Sequence, residues 1–217
     1  MHKFALPPRL FITGTDTDVG KTLVAAIVMS GTRGKYWKPI QSGLGAITDT
    51  QWIKRMTGLP DSHFLPERHC LRRPLSPHAA AASDGVHIGL SDFEFPNPSP
   101  FDHLIVEGAG GIMVPLNDRH FMLDLISKLA IPVLLVASSR LGTINHTLLS
   151  LDKLRSRQAA IAGVVLNGPV NASNREAIEH YGQINVVAQI EPIPVIHRQG
   201  LENLFAAHFT AQRPGLS

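Results

Sequence analysis

Leu10-Phe11-Ile12-Thr13-Gly14-Thr15-Asp16-Thr17-Asp18-Val19-Gly20-Lys21-Thr22, continued by the apolar run Leu23 to Met29, is the stretch that decides how this chain is read. Leu10-Phe11-Ile12 reads as a buried strand and LVAAIVM as a buried helix. Between them a turn closes in Gly20-Lys21-Thr22, where free backbone N–H groups and the macrodipole of a helix N-terminus together attract phosphate. Gly14 and Gly20 enclose five residues, one more than the plain phosphate-loop pattern. The strand before the loop and the helix after it supply the context such a motif requires, so nucleotide binding is the expectation.

Working outward, the apolar runs are continuous rather than alternating, as in a parallel sheet covered on both faces. They predict strands at 10–13, 36–40, 104–107, 133–137, 162–166 and 186–190. Helices are expected at 21–30, 49–57, 77–83, 122–129, 144–155, 174–181 and 200–208. This order is that of a doubly wound, mostly parallel α/β fold of the P-loop type, whose ligands bind beyond the carboxyl ends of the strands. Leu90 to Pro100, with prolines at 96, 98 and 100, reads as a surface connector, and Arg213 to Ser217 as a frayed tail.

The 217 residues suit a single domain, 1–217, able to bury roughly 70% of its extended surface. Twenty Lys and Arg against 17 Asp and Glu give a mild net charge of +3, with the basic residues scattered. That balance argues against a nucleic-acid groove. Cys70 is the only cysteine, so no intrachain disulfide forms and a reducing, cytoplasmic setting is expected. The N-terminal apolar stretch is broken by Pro7-Pro8, unlike a signal peptide, and no run approaches the ~18 apolar residues of a membrane span.

Several side chains at the expected strand ends carry chemistry. Lys21 stands where a loop lysine reaches the β- and γ-phosphates, and Thr22 where a hydroxyl meets a bridging magnesium ion. Glu107 ends an apolar run before Gly108-Ala109-Gly110-Gly111 and suits a second metal ligand. Asp16 and Asp18 repel phosphate unless a cation intervenes, leaving open whether each acts through the cation or faces solvent. Lys38, held extended before Pro39, reads first as a solvated surface lysine, with a charge for a transferring phosphoryl group as the alternative. Ser42 lacks the glycine pattern of a nucleophile elbow. His63, His69 and Cys70 lack a second pair at zinc spacing.

Taken together, the blocks GTDTDVGKT (14–22), KPIQSG (38–43), SPHAAA (76–81), VEGAGG (106–111), LGTINH (141–146) and EPIP (191–194), with Asp49 and Asn167, closely resemble the dethiobiotin synthetase family nearly end to end. The longer loop is the spacing that family uses. The resemblance implies an ATP- and Mg2+-dependent ligase that carboxylates 7,8-diaminopelargonate with carbon dioxide (bicarbonate) and closes the ring of dethiobiotin. It implies ATP on Gly14, Asp18, Val19, Gly20, Lys21 and Thr22, adenine near Asn167, Pro192 and Pro194, and magnesium on Thr22, Asp49 and Glu107. Lys21 and Lys38 would neutralise the carbamate and phosphoryl, with Thr17 and Ser42 hydrogen-bonding the carbamate. Gly142, Thr143, Ile144 and Asn145 would receive the substrate carboxylate across a homodimer interface. The family's pocket tyrosine is not matched by any of these blocks; Tyr181 lies in the corresponding helix.

Two other readings stand beside this one. A related amide-forming ligase would carry an additional glutaminase domain, for which the length leaves no room. A partitioning or site-selection ATPase switch shares the architecture, but its loop resembles one with an extra lysine near its start, where this chain has Thr15-Asp16-Thr17. Such switches often carry a basic surface or an amphipathic terminal helix for DNA or membrane partners, and neither is evident in the sequence.

Overall fold

Short apolar segments and well-marked helix stops alternate along the chain, and the computed structural model, which describes residues 3–45, 47–95 and 103–211, folds them into a parallel sheet wrapped by helices. In chain order the elements are β1 (Phe4–Leu6), β2 (Arg9–Gly14), α1 (Lys21–Thr32), β3 (Lys35–Trp37), β4 (Ile40–Ser42), α2 (Asp49–Thr57), β5 (Phe64–Leu65) and β6 (His69–Leu71). There follow α3 (Pro77–Asp84), β7 (Leu104–Gly111), α4 (Met122–Leu129), β8 (Val133–Ser138), α5 (Thr143–Ser156), β9 (Ile161–Asn167), α6 (Ala172–Gly182), β10 (Val186–Ile190), α7 (Arg198–His208) and β11 (Phe209–Ala211).

The main sheet has seven strands in the order β10-β9-β8-β2-β7-β3-β5, and every pairing in it is parallel. Strand alternation divides the core between the two faces. Leu10, Ile12, Ile105, Leu134 and Val136 pack with Val24, Ile27 and Met29 of α1, Ile53 of α2 and Leu201 of α7. Phe11, Trp37, Leu104, Val106 and Val133 pack on the other face with Ala80 and Ala81 of α3, Leu125 and Ile126 of α4, and Phe93. A third cluster joins Leu135, Val164 and Leu166 to Leu151 of α5 and Ile178 of α6. The helices stop where the sequence marks them: α2 opens on a Thr48–Gln51 capping box and closes on a left-handed Gly58.

The expected strand 36–40 is corrected to two. Pro39 has no N–H for a ladder, so β3 ends at Trp37 and β4 leaves the main sheet to pair with β6. The Pro39 carbonyl instead accepts from the N–H groups of Arg68 and His69 at 2.9 and 3.0 Å. Glu107 is also not a strand end, because the glycine-rich run continues the ladder to Gly111 opposite Gly14, after a register shift between Ile12 and Gly14. The connector at 90–100 is only partly a surface segment: residues 90–92 form a 3-10 turn and Phe93 is fully buried, while positions 96–100 and the tail 213–217 lie outside the described residues. β1, β5, β6 and β11, two or three residues each, were too short to show a period.

Helix α1 runs against α7 at very close range. A Cβ added at Gly31 would lie 2.1 Å from the Phe205 ring, a contact the ring itself, not a flexible tip, would have to relieve. Gly31→Ala is therefore expected to destabilise the fold by about 1–3 kcal/mol, the cost of overpacking. Thermal unfolding measures it, and Phe205→Ala in the Gly31→Ala background should make the glycine change nearly neutral; equal costs in both backgrounds would place the strain elsewhere.

Candidate active site

β2 delivers the loop and α1 receives it. Gly20 takes a left-handed φ of 99° and the helix begins at Lys21. Thr15 N–H donates to the Val136 carbonyl at 2.9 Å, which ties the loop to β8. Lys21 is buried, and its Nζ donates to the Asp16 carbonyl at 2.8 Å across the loop. The Asp16 carboxylate accepts the Thr17 N–H at 2.7 Å, so it shapes the loop from outside, while Asp18 lines the cleft. Asn167, the last residue of β9, donates its side-chain amide to the Val19 carbonyl at 3.0 Å. Burial first, and then the nearby Lys38 charge, pull the Lys21 ammonium down to about 8, against the opposing pull of Glu107 and Asp49.

Beside the loop lies a cluster of charge. Trp37 pairs with Val106, so Lys38 emerges next to Glu107. Lys38 Nζ stands 2.8 Å from Glu107 Oε1, 2.7 Å from Asp49 Oδ2 and 3.2 Å from the Gly108 carbonyl. Thr22 Oγ1 is within hydrogen-bond distance of both acids, 3.2 Å from Asp49 Oδ1 and 2.9 Å from Glu107 Oε1. Tyr36 donates its hydroxyl to the other oxygen, Glu107 Oε2, at 2.9 Å. Glu107 has no exposed surface and Lys38 is only 4% exposed. Burial alone would lower Lys38; the charges of Glu107 and Asp49 outweigh it and hold the ammonium above its ordinary value. Burial and then the Glu107 charge push the Tyr36 hydroxyl well above the usual tyrosine range.

A cleft of about 670 Å³ gathers Thr17, Asp18, Gly20, Lys21, Thr22, Lys38, Ser42, Asp49 and Glu107 along one wall or another. Ser42 Oγ is buried there without a hydrogen-bond partner among the described residues. The structure does not bring Gly142, Thr143, Ile144 and Asn145 into this cleft. They open α5 beyond β8, with Gly142 left-handed, and Thr143 is buried with its hydroxyl unpartnered among the described residues. Later turns of α5, at His146, Leu149, Ser150 and Lys153, line a second cavity of about 500 Å³ against Thr15, Asp16 and the 111–114 segment. Pro192 and Pro194 are exposed and follow Ile190, the register partner of Asn167. Tyr181 is 69% exposed and touches His180 ring to ring.

Sequence reasoning missed Gln41 and Tyr36. Gln41 accepts the Asp49 N–H on its side-chain oxygen at 3.1 Å and donates to the Ser42 carbonyl at 3.1 Å, which docks the start of α2 on β4. It lay inside the KPIQSG block, but nothing in a lone glutamine marks it as a strut. Tyr36 read as one more apolar strand residue. Pro74, Leu75 and Ser76 also line the cleft, from the loop before α3. His63 and His69, considered as metal ligands, face the Gly34 carbonyl and the Asp92 carboxylate instead.

Two carboxylates and a hydroxyl are a hard-oxygen donor set, and magnesium is ordinarily held by one or two carboxylates together with substrate phosphates. Thr22, Asp49 and Glu107 fit that chemistry, since one threonine hydroxyl lies within reach of both acids at the lip of the phosphate loop. Among the described residues no three His, Cys, Asp or Glu side chains gather as a metal site of their own. Also among the described residues, no helix is long and apolar enough to cross a membrane.

The family model described as an AAA domain matches residues 8–199. An ATP-dependent dethiobiotin synthetase of Paramagnetospirillum magneticum is 46% identical over 202 residues, covering 93% of this chain and 96% of the relative. One from Agrobacterium fabrum is 40% identical over 93% of this chain and 94% of its own. A ParA family ATPase from Chlorobium tepidum superposes with a TM-score of 0.51 over 93% of this chain and 90% of its own, at 11% identity, a likeness of fold.

The contact between Gly20 and Asn167 generates a prediction. A Cβ at Gly20 would lie 2.2 Å from Asn167 Nδ2, and the residue's φ of 99° is itself unfavourable to any side chain. Gly20→Ala should weaken ADP binding, measured by calorimetry, at least about tenfold, in line with ~1–3 kcal/mol of backbone strain. Asn167→Ala in the same chain relieves the clash but not the strain, so it should restore little; full restoration would show that the amide contact alone is limiting.

Proposed function

The chain belongs to the dethiobiotin synthetase family, and we propose that it carries out the ATP-driven carboxylation and ring closure of 7,8-diaminopelargonate, giving dethiobiotin, ADP and phosphate. One observation carries the proposal: Lys38 Nζ stands between Asp49 and Glu107, at 2.7 and 2.8 Å, in the same cleft as the phosphate-loop Lys21 and Thr22. A plain ATPase loop needs the lysine and threonine of α1. The second lysine supplies positive charge for an anionic acceptor facing the γ-phosphate.

In this reading one amine of the substrate attacks carbon dioxide and loses a proton, leaving a carbamate. A carbamate oxygen attacks the γ-phosphorus as ADP departs, and the second amine then attacks the carbonyl carbon, loses a proton and expels phosphate. No protein nucleophile is needed; the residues position and neutralise. The N–H groups of the loop between Gly14 and Thr22 hold the phosphates, Lys21 and Lys38 face the charge that develops on the transferring group, and Thr17 and Ser42 hydrogen-bond the carbamate. The Ser42 hydroxyl, buried and without a partner among the described residues, supports that role. Bound magnesium would neutralise the β- and γ-phosphate oxygens from Thr22, Asp49 and Glu107. Asn167 and the 192–194 segment would border the base.

We further propose that residues 1–217 act as one domain built on the single seven-stranded sheet, in the cytoplasm and as a homodimer. In the dimer the Gly142–Asn145 end of α5 would meet the substrate carboxylate of the partner subunit's cleft. The exposed apolar side chains of Met113 and Leu149, both on the second cavity, support a covered surface there. A partitioning-type switch finds support in the fold alone.

Phosphate release from ATP is expected only when magnesium, bicarbonate and the diamine are all present; rapid hydrolysis indifferent to the diamine would sink the assignment. Lys38→Ala should cut turnover about 10²–10³-fold, the scale of losing one transition-state charge or donor, while ATP still binds. Lost nucleotide binding with normal residual turnover would contradict the role given to Lys38.

A further inference from the structure

Glu107 is gripped at both oxygens by residues two apart in the chain, Tyr36 on β3 and Lys38 just past its end. Tyr36 and Lys38 share a face of β3 and its extension, because side chains alternate along a strand. Lys38 takes Oε1 at 2.8 Å and Tyr36 takes Oε2 at 2.9 Å. Thr22 approaches Oε1, not Oε2. The acid therefore has a working oxygen, turned to α1 and the cleft, and a tethered one, turned into the protein.

The tether is itself anchored. Tyr36 is fully buried, and its ring meets Phe64 of the edge strand β5 edge to face, with centroids 6.1 Å apart. β3 pairs with β5 through Tyr36 opposite Phe64 and with β7 through Tyr36 opposite Ile105. The terminal torsion of a glutamate is broad, so packing alone does not fix the plane of its carboxylate. A directional hydrogen bond to one oxygen does. Outer partners of this kind orient metal-binding groups, and their loss commonly costs 10–100-fold in metal affinity.

We infer that Tyr36 is a positioning residue that commits one oxygen of Glu107 to the protein, so that the acid offers a single oxygen, Oε1, to the cation and to Lys38. This rests on the reading of Glu107 as a cation ligand. Gly108 to Gly111 bring no side chain larger than a methyl to that strand, and the contact to Oε2 comes from β3, across the sheet.

Tyr36→Phe keeps the ring and its contact with Phe64 and removes only the hydroxyl. Binding of Mn2+ to the ADP complex, followed by the loss of the free-ion electron paramagnetic resonance signal, is expected to weaken about tenfold. Glu107→Gln should weaken it at least as much, and Tyr36→Phe added to Glu107→Gln should weaken it no further. Wild-type Mn2+ affinity in Tyr36→Phe alongside a weakened Glu107→Gln overturns the role of Tyr36. Wild-type affinity in Glu107→Gln removes Glu107 as a ligand, and the inference with it. A purely structural hydroxyl would lower the thermal midpoint of both tyrosine variants and leave Mn2+ binding alone.

A second measurement leaves Tyr36 in place. The chain has two tyrosines, and Tyr181 is largely exposed. In protein carrying 13C at the tyrosine hydroxyl carbon, adding Mg2+ to the ADP complex should shift the Tyr36 resonance in the wild type and not in Glu107→Gln. An unmoved resonance in the wild type overturns the inference.

Discussion

A carboxylate with no exposed surface stays charged only if cations and donors replace the water it has lost. Glu107 imposes that demand on this fold, and four elements converge to meet it. β7 carries the acid, the end of β3 supplies Lys38 and Tyr36, α1 supplies Thr22, and α2 brings Asp49 to the far side of the Lys38 ammonium. None of these contacts survives a shift of one element against the others by a few ångströms. The strand order β2-β7-β3 follows from the same demand, since it sets the loop, the acid and the second lysine on neighbouring strands.

The cluster also balances itself. Lys21 and Lys38 stand against Asp49 and Glu107, with Asp18 on the cleft wall, so the formal charges of these side chains nearly cancel. A polyphosphate entering such a site brings uncompensated negative charge, and a divalent cation arriving with it offsets two units of that charge. Lys38 is held by the same acids that form the oxygen donor set. Its grip on them and their use for a cation are therefore linked within one hydrogen-bonded network rather than being separate provisions.

Much of this was legible in the sequence because it depends on local pattern. The strand at 186–190 and the helices at 49–57 and 122–129 match the structure at both ends, each being an apolar run or stripe bounded by turn and capping residues. Lys21, Thr22 and Glu107 were singled out from their local pattern and Asp49 through the family resemblance, and the fold makes them neighbours. What stayed hidden depends on pairing across the sheet. Glu107 read as a strand end because its glycines look like a stop, yet the ladder carries on through them to Gly111. Tyr36 is indistinguishable from a core aromatic until β3 is known to lie beside β7. Gln41 acts on a backbone N–H eight residues away, a contact no side-chain pattern announces.

The small parallel pair of β1 and β11 has a bearing on how the molecule is made. Phe4 pairs with Phe209 and Leu6 with Ala211, while β2, beginning three residues after β1, already lies in the middle of the main sheet. During synthesis the first strand must wait for its partner, about 205 residues later by the same register. At about 5–20 residues per second that is roughly 10–40 s. Leu6 and Phe209, both buried in the finished protein, are left apart until then. Closure of that edge is thus a late event, open to the chain only once Phe209 to Ala211 have been made and are free to pair.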